Sequence, residues 1–133
     1  GACLIIAPWN YPVQLALGPM IPALAAGNTI CLKPSEITAH TAELLKNLLT
    51  QYFPATLVQV ELGGVTETER LLSVPFDHIF FTGSTAIGKK VMAAAAKNLS
   101  SVTLELGGKS PTIVDPEMEL EYVARKISWG KFL

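Results

Sequence analysis

Phe81-Thr82-Gly83-Ser84-Thr85-Ala86-Ile87-Gly88-Lys89-Lys90 reads as the end of a buried strand, a glycine turn and the start of a helix. Free amide N–H groups and the positive helix end make such a turn a natural phosphate site. Gly83 allows the tight turn, Gly88 allows close packing of the helix, and the Ser84 hydroxyl can donate to a phosphate oxygen. Gly83-x-x-x-x-Gly88-Lys89 has Walker A spacing, but Lys90 stands where a P-loop needs Ser or Thr to hold Mg²⁺. A dinucleotide pyrophosphate is the second candidate ligand, although the G-x-G-x-x-G fingerprint occurs nowhere in the chain. A glycine helix start with no ligand is the third reading. The motif alone leaves all three open.

Outward from this turn, strand and helix patterns alternate. Short apolar runs at residues 3–7, 29–32, 57–62, 78–81 and 102–106 are expected strands, and residues 112–114 a further candidate. Residues 13–26 suggest a helix broken or bent by Pro19 and Pro22 and ended by Gly27-Asn28. Residues 38–52 predict a helix with Leu45, Leu48, Leu49 and Tyr52 on one face. Residues 67–73 predict a short helix with acidic residues in its first turn. Residues 85–97 predict another, burying Ile87, Val91, Ala94 and Ala95, and the chain turns helical again from Glu119. Continuous apolar strands alternating with amphipathic helices describe an α/β fold, a Rossmann-like parallel sheet with flanking helices. Ligands of such sheets lie beyond the carboxyl ends of the strands. That rule selects residues 8–12, 33–36, 63–66, 82–88 and 105–110.

Composition narrows the field. Of 133 residues, 50% are hydrophobic and only 16% charged, with 10 Lys+Arg against 11 Asp+Glu. Disorder is excluded by the hydrophobicity, and a net charge of −1 excludes a basic nucleic-acid stripe. The least polar stretch, residues 15–27, carries two prolines and falls short of the roughly 18 apolar residues a membrane span needs. No basic segment precedes the first strand as it would in a secretory signal. Cys3 and Cys31 are too far apart for a ligand cluster, and His40 and His78 have no metal spacing, so no metal site is expected. Both cysteines fall in apolar strands, where thiols are inert packing groups. Residue 1 enters directly into a strand and residues 127–133 end inside an amphipathic pattern, so both ends look cut. A low charged fraction fits a surface meant to be covered by further chain, and that exposure predicts poor solubility.

Three more segments carry candidate chemistry. Lys33-Pro34-Ser35-Glu36 follows a strand, and its Lys and Glu can bond the vicinal hydroxyls of a ribose; spacing alone favours the plainer account of a solvated Lys33 with Ser35 capping the next helix. Glu105, in Leu104-Glu105-Leu106-Gly107-Gly108, is a carboxylate in an apolar strand, a setting that raises a pKa and suits a general base. Its alternative is an edge-strand residue facing solvent. Asn10, in Pro8-Trp9-Asn10-Tyr11-Pro12, is either an oxyanion donor or a turn residue.

Together, Pro8-Trp9-Asn10-Tyr11-Pro12, Leu32-Lys33-Pro34-Ser35-Glu36, Phe81-Thr82-Gly83-Ser84-Thr85 with Gly88, and Leu104-Glu105-Leu106-Gly107-Gly108-Lys109-Ser110-Pro111 resemble the aldehyde dehydrogenase superfamily, in its order and spacing. Gly63-Gly64-Val65, Phe76-Asp77-His78-Ile79 and Trp129-Gly130-Lys131-Phe132 look most like its class 3 and fatty-aldehyde branch. The resemblance implies oxidation of an aldehyde substrate to a carboxylic acid with NAD, or NADP, through a cysteine thiohemiacetal and thioester. It implies Asn10 as oxyanion donor and Glu105 as general base. It implies cofactor contacts from Trp9, Lys33, Ser35, Glu36, Gly83, Ser84, Thr85 and Gly88. A carboxylate at Glu36 repels a 2′-phosphate, which favours NAD, although the branch accepts both cofactors. The family's nucleophilic cysteine lies a few residues past the segment matched by Trp129 to Phe132, beyond Leu133. The chain is thus expected to be an internal fragment: residues 1–106 part of the NAD(P)-binding domain, residues 107–133 the beginning of the catalytic domain. Inactivity alone is expected, with a catalytically dead dinucleotide-binding module as the alternative. For the complete protein the resemblance implies a homo-oligomer, a dimer, in the cytoplasm or on a membrane facing it, any membrane anchor lying outside this segment.

Overall fold

The computed structural model describes residues 1–132; Leu133, the last residue of the expected second segment, lies outside the described residues. Five strands, β1 (Ala2–Ile6), β2 (Thr29–Lys33), β3 (Val58–Val60), β4 (His78–Gly83) and β5 (Ser101–Leu106), form one parallel sheet in the order β3-β2-β1-β4-β5. They alternate with α1 (Gln14–Ala25), α2 (Ala39–Tyr52), α3 (Val65–Leu72) and α4 (Thr85–Ala96), and α5 (Leu120–Lys131) follows the sheet. The middles of the inner strands are apolar because both of their faces are covered: Leu4, Ile5, Leu32 and Ile79 are almost fully buried.

The strand order explains the two layers. The chain lays down β1, β2 and β3 in one direction, then returns past β1 to add β4 and β5. Parallel crossovers are right-handed, so reversing direction moves the covering helices to the opposite face. Ala16, Met20, Leu45 and Leu49 of α1 and α2 accordingly join Cys3, Ile5, Leu32 and Val58 in one core. Leu71, Val91 and Ala95 of α3 and α4 join Leu4, Ile6, Ile79 and Phe81 in the other.

Several local expectations change. The helix α1 runs unbroken across Pro19 and Pro22 because Ala16 and Met20 hold it on the sheet. It ends as expected at Gly27, whose φ of 80° permits a Schellman closure: Gly27 N–H bonds Leu24 O at 2.9 Å and Asn28 N–H bonds Ala23 O at 3.1 Å. The buried stripe of α2 is Ala42, Leu45 and Leu49, while Leu48 and Tyr52 are exposed. On α4 it is Gly88, Val91 and Ala95, with Ile87 exposed. In both helices the buried positions keep an i, i+3, i+7 spacing; Leu48 and Ile87 sit one position off that stripe, and Tyr52, which continues it, is exposed as the last residue of its helix. The candidate strand at residues 112–114 is not formed, and Ile113 is exposed. Residues 107–119 carry no regular element beyond turns, and α5 buries none of its residues. Among the described residues no helix is long and apolar enough to cross a membrane.

Gly83 ends β4 against its own strand: a Cβ there would meet the ring of buried Phe81 at 2.5 Å. Gly88 faces Leu106, whose Cδ2 would lie 2.8 Å from an added Cβ. A buried ring cannot yield as the tip of a half-exposed leucine can. Gly83→Ala is therefore expected to cost about 1–3 kcal/mol in urea unfolding. Gly88→Ala gains helix propensity against its clash and should stay within about 1 kcal/mol of the parent. Equal losses for the two would refute this packing argument.

Candidate functional site

The carboxyl ends of β1 and β4 part where the strand order reverses, and an open cleft of about 1220 Å³ lies over that point. Trp9, Asn10, Lys33, Ser35, Glu36, Gly83, Ser84 and Glu105 all line it. Thr85 and Gly88 do not: Thr85 opens α4 with an exposed side chain, and Gly88 faces inward against Leu106. Gly88 thus serves helix packing rather than ligand contact.

Lys33 ends β2, and its position between two paired strands buries it to 2% exposure, so it is not the solvated lysine considered above. A buried ammonium needs partners. Its Nζ donates to Pro34 O at 2.9 Å and to Glu36 Oε2 at 3.4 Å, which leaves one of its three donors for a ligand. Glu36 keeps half of its side chain exposed. Ser35 does cap the next turn: its Oγ accepts from Ile37 N–H at 3.3 Å, starting the short 3-10 turn Glu36–Thr38. The cap expected of Ser35 thus forms, and it places Glu36 beside a buried rather than a solvated Lys33.

At the glycine turn, Ser84 Oγ accepts from Ile87 N–H at 3.3 Å, which leaves the Ser84 proton free to donate. The N–H groups of Thr85 and Ala86 sit in the first helical turn, where no intrahelical acceptor exists. Residues 85–88 are already helix. A Walker A loop needs those residues to wrap around phosphates, so the P-loop reading fails on backbone conformation.

Glu105 lies at the end of edge strand β5, exposed to solvent rather than enclosed in the sheet. Its position follows from the order of strands, since β5 has β4 on one side and, among the described residues, no strand on the other. Asn10 is exposed between Trp9 and Tyr11, and Tyr11 takes a φ of 48°, a left-handed conformation unfavourable for a bulky residue. Such strain accompanies functional turns. Leu15 N–H bonds Tyr11 O at 2.9 Å and ties the turn to α1.

Three further cleft residues lie in segments that the strand-end rule selected, although the sequence assigned none of them a role at the site. Thr82 Oγ1 is buried without a hydrogen-bond partner and lines the cleft, one strand from Glu105 in register. Its sequence signals are its place at a strand end and a hydroxyl between Phe81 and Gly83. Val65 and Ile87 are exposed apolar side chains on α3 and α4 that face the same space; a helical wheel cannot tell a ligand shelf from a core edge.

The aldehyde dehydrogenase family model matches residues 1–133. The chain is 56% identical over its whole length to the Rattus norvegicus protein named aldehyde dehydrogenase, dimeric NADP-preferring, and 54% to aldehyde dehydrogenase family 3 member A2 of Pongo abelii. It spans only 29% and 27% of those proteins. The substrate-bound state of Staphylococcus aureus AldH superposes with a TM-score of 0.94 at 50% identity, over 98% of this chain and 29% of that one. The Mycobacterium tuberculosis aldehyde dehydrogenase complexed with NAD⁺ superposes with a TM-score of 0.83 at 40% identity, over 91% and 26%.

Neither cysteine lines the cleft. Burial pushes the Cys31 thiol up to about 11, the Glu61 carboxylate adding and Arg70 opposing. Burial likewise raises Cys3. A group so raised stays protonated until the pH approaches its shifted value, so at pH 8 the Cys31 thiolate is on the order of one in a thousand. Both thiols should resist an aromatic disulfide reagent in the folded chain at pH 8 and react at once in guanidinium. Rapid labelling of either in the folded chain would refute the assignment of both as packing groups.

Proposed function

The chain belongs to the aldehyde dehydrogenase family, and we propose that it is the dinucleotide-binding part of an enzyme that oxidises an aldehyde to a carboxylic acid with NAD or NADP. The observation that carries this reading is the convergence of Lys33, Glu36 and the glycine turn at Ser84 on one cleft at the reversal of strand order. The cleft suits the cofactor: it is large enough for a dinucleotide, it holds the unpartnered Thr82 hydroxyl, and it offers the open first turn of α4.

Lys33 donates to a ribose hydroxyl and Glu36 accepts from its neighbour. The Ser84 hydroxyl, at the open first turn of α4, receives the pyrophosphate, Gly83 keeping side-chain bulk away from it. Trp9 and Ser35 border the same space, and Val65 and Ile87 give the flat adenine ring an apolar seat between α3 and α4. The bound dinucleotide supplies the hydride acceptor. Asn10 donates its amide to the aldehyde oxygen as a thiolate adds to the carbonyl carbon. Glu105 takes the proton of the water that resolves the thioester, and its exposure in this chain lets water reach it. Cys3 and Cys31 are unfit as the thiolate, so we place the nucleophile beyond Leu133, with the catalytic domain beginning after Leu106. The chain by itself is then a binding module without turnover. Its relatives bear on cofactor choice: a rat relative is named NADP-preferring, and Lys33 beside Glu36 offsets part of the repulsion that Glu36 exerts on a 2′-phosphate.

Calorimetry of the chain with NAD⁺ should show binding, and Lys33→Met should weaken it by about ten- to a hundredfold, the worth of a charged hydrogen bond. Incubation with NAD⁺ and an aldehyde should produce no NADH above background. Absence of binding would sink the dinucleotide reading, and turnover by this chain would sink the assignment of the nucleophile.

A further inference from the structure

A second carboxylate stands beside the Lys33–Glu36 pair and is fixed where Glu36 is free. Glu67, in the first turn of α3, folds back so that its Oε2 accepts from Gly64 N–H at 2.7 Å. Gly63 makes the room. Gly63 has a φ of 134°, and a Cβ there would meet Glu67 Cγ at 2.4 Å, so the side chain lies directly over that backbone. A Cβ on Gly64 would meet Glu36 Cγ at 4.0 Å, which puts Glu36 against the same turn. The loop at residues 63–64 is therefore flanked by two carboxylates, with Lys33 bonded to one of them. Arg70, one turn along α3, reaches Glu61 at 3.4 Å. Gly64, Val65, Thr68 and Glu69 around Glu67 line the cleft, with Glu67 itself just behind them, and Lys90 lines it from α4.

We propose that Glu67 is a cofactor-specificity residue whose carboxylate, pinned beside the Lys33–Glu36 pair, disfavours a phosphate on the adenosine 2′ position. The inference rests on reading the cleft as the dinucleotide site. Glu36, half exposed, can turn into solvent and leave Lys33 to meet a phosphate. Glu67 cannot follow, because the Gly64 N–H holds it. Its own N–H and that of Gly64 keep its carboxyl below the ordinary carboxylate value, with Arg70 and Lys33 adding, so it is charged at neutral pH. A dianionic 2′-phosphate then meets one ammonium and at least one fixed carboxylate, whereas a free 2′-hydroxyl meets acceptors it can bond.

The test compares 5′-AMP with 2′,5′-ADP, two probes that differ only in the 2′-phosphate, by calorimetry on the parent chain, Glu67→Gln, Glu36→Gln and the double variant. Glu67→Gln keeps an oxygen for the Gly64 N–H and removes only charge. It should shift the ratio of the two dissociation constants toward 2′,5′-ADP on the order of three- to tenfold, leave 5′-AMP affinity within about twofold, and lose much of that shift in high salt. The double variant should shift further than Glu36→Gln alone. A merely structural cap would weaken both probes alike. If both probes bind and the ratio is unmoved by Glu67→Gln, Glu67 has no such role while the dinucleotide reading stands. If neither binds the parent chain, both readings fall.

Discussion

Strand β1 is hydrogen-bonded on both sides, to β2 through Ala2–Ile6 against Thr29–Lys33 and to β4 through Cys3 to Ile6 against His78 to Phe81. This double pairing is the constraint on which the rest depends. It makes β1 the point from which the chain leaves in one direction and later returns in the other. The handedness of the crossovers then divides the helices between two faces. Where the two sets of connections diverge, none of the described residues closes over the strand ends, and the cleft is what remains.

The same arrangement determines which polar groups are costly. Lys33 is buried because it ends an interior strand, so its charge must be answered by the Pro34 carbonyl and the Glu36 carboxylate. Ser35 sets that answer in place by capping a single turn. Glu105 ends the edge strand instead and keeps its contact with water. Two acidic residues at the carboxyl ends of β2 and β5 therefore sit in different circumstances, one braced by a buried cation and the other open. Across the cleft, the two helix starts differ in kind: α3 is closed by its own Glu67, while α4 is capped by a neutral serine and stays electropositive.

Much of the architecture was legible in local sequence. Each of the five strands coincides with an apolar run, the Gly27-Asn28 closure forms as its residue types dictate, and Ser35 and Ser84 cap where a serine before a helix should. What was misread has two causes. Leu48, Tyr52 and Ile87 are apolar residues on amphipathic helices, and periodicity alone does not say how far around the helix the sheet reaches. The apolar run at residues 112–114 had the composition of a strand but no neighbouring strand to pair with among the described residues.

By itself the sequence determined the class of fold, the positions of the turns and the family to which the chain belongs, because these rest on periodicity, capping and residue types close together in the chain. Only the tertiary structure decided that Lys33 is buried and braced, that Glu105 is open to water, that Gly88 packs against Leu106, and that Glu67 stands beside Glu36. Each of these depends on which strand lies at the centre and which at the edge. That order is set by hydrogen bonds between segments far apart in the chain, and no local pattern encodes it.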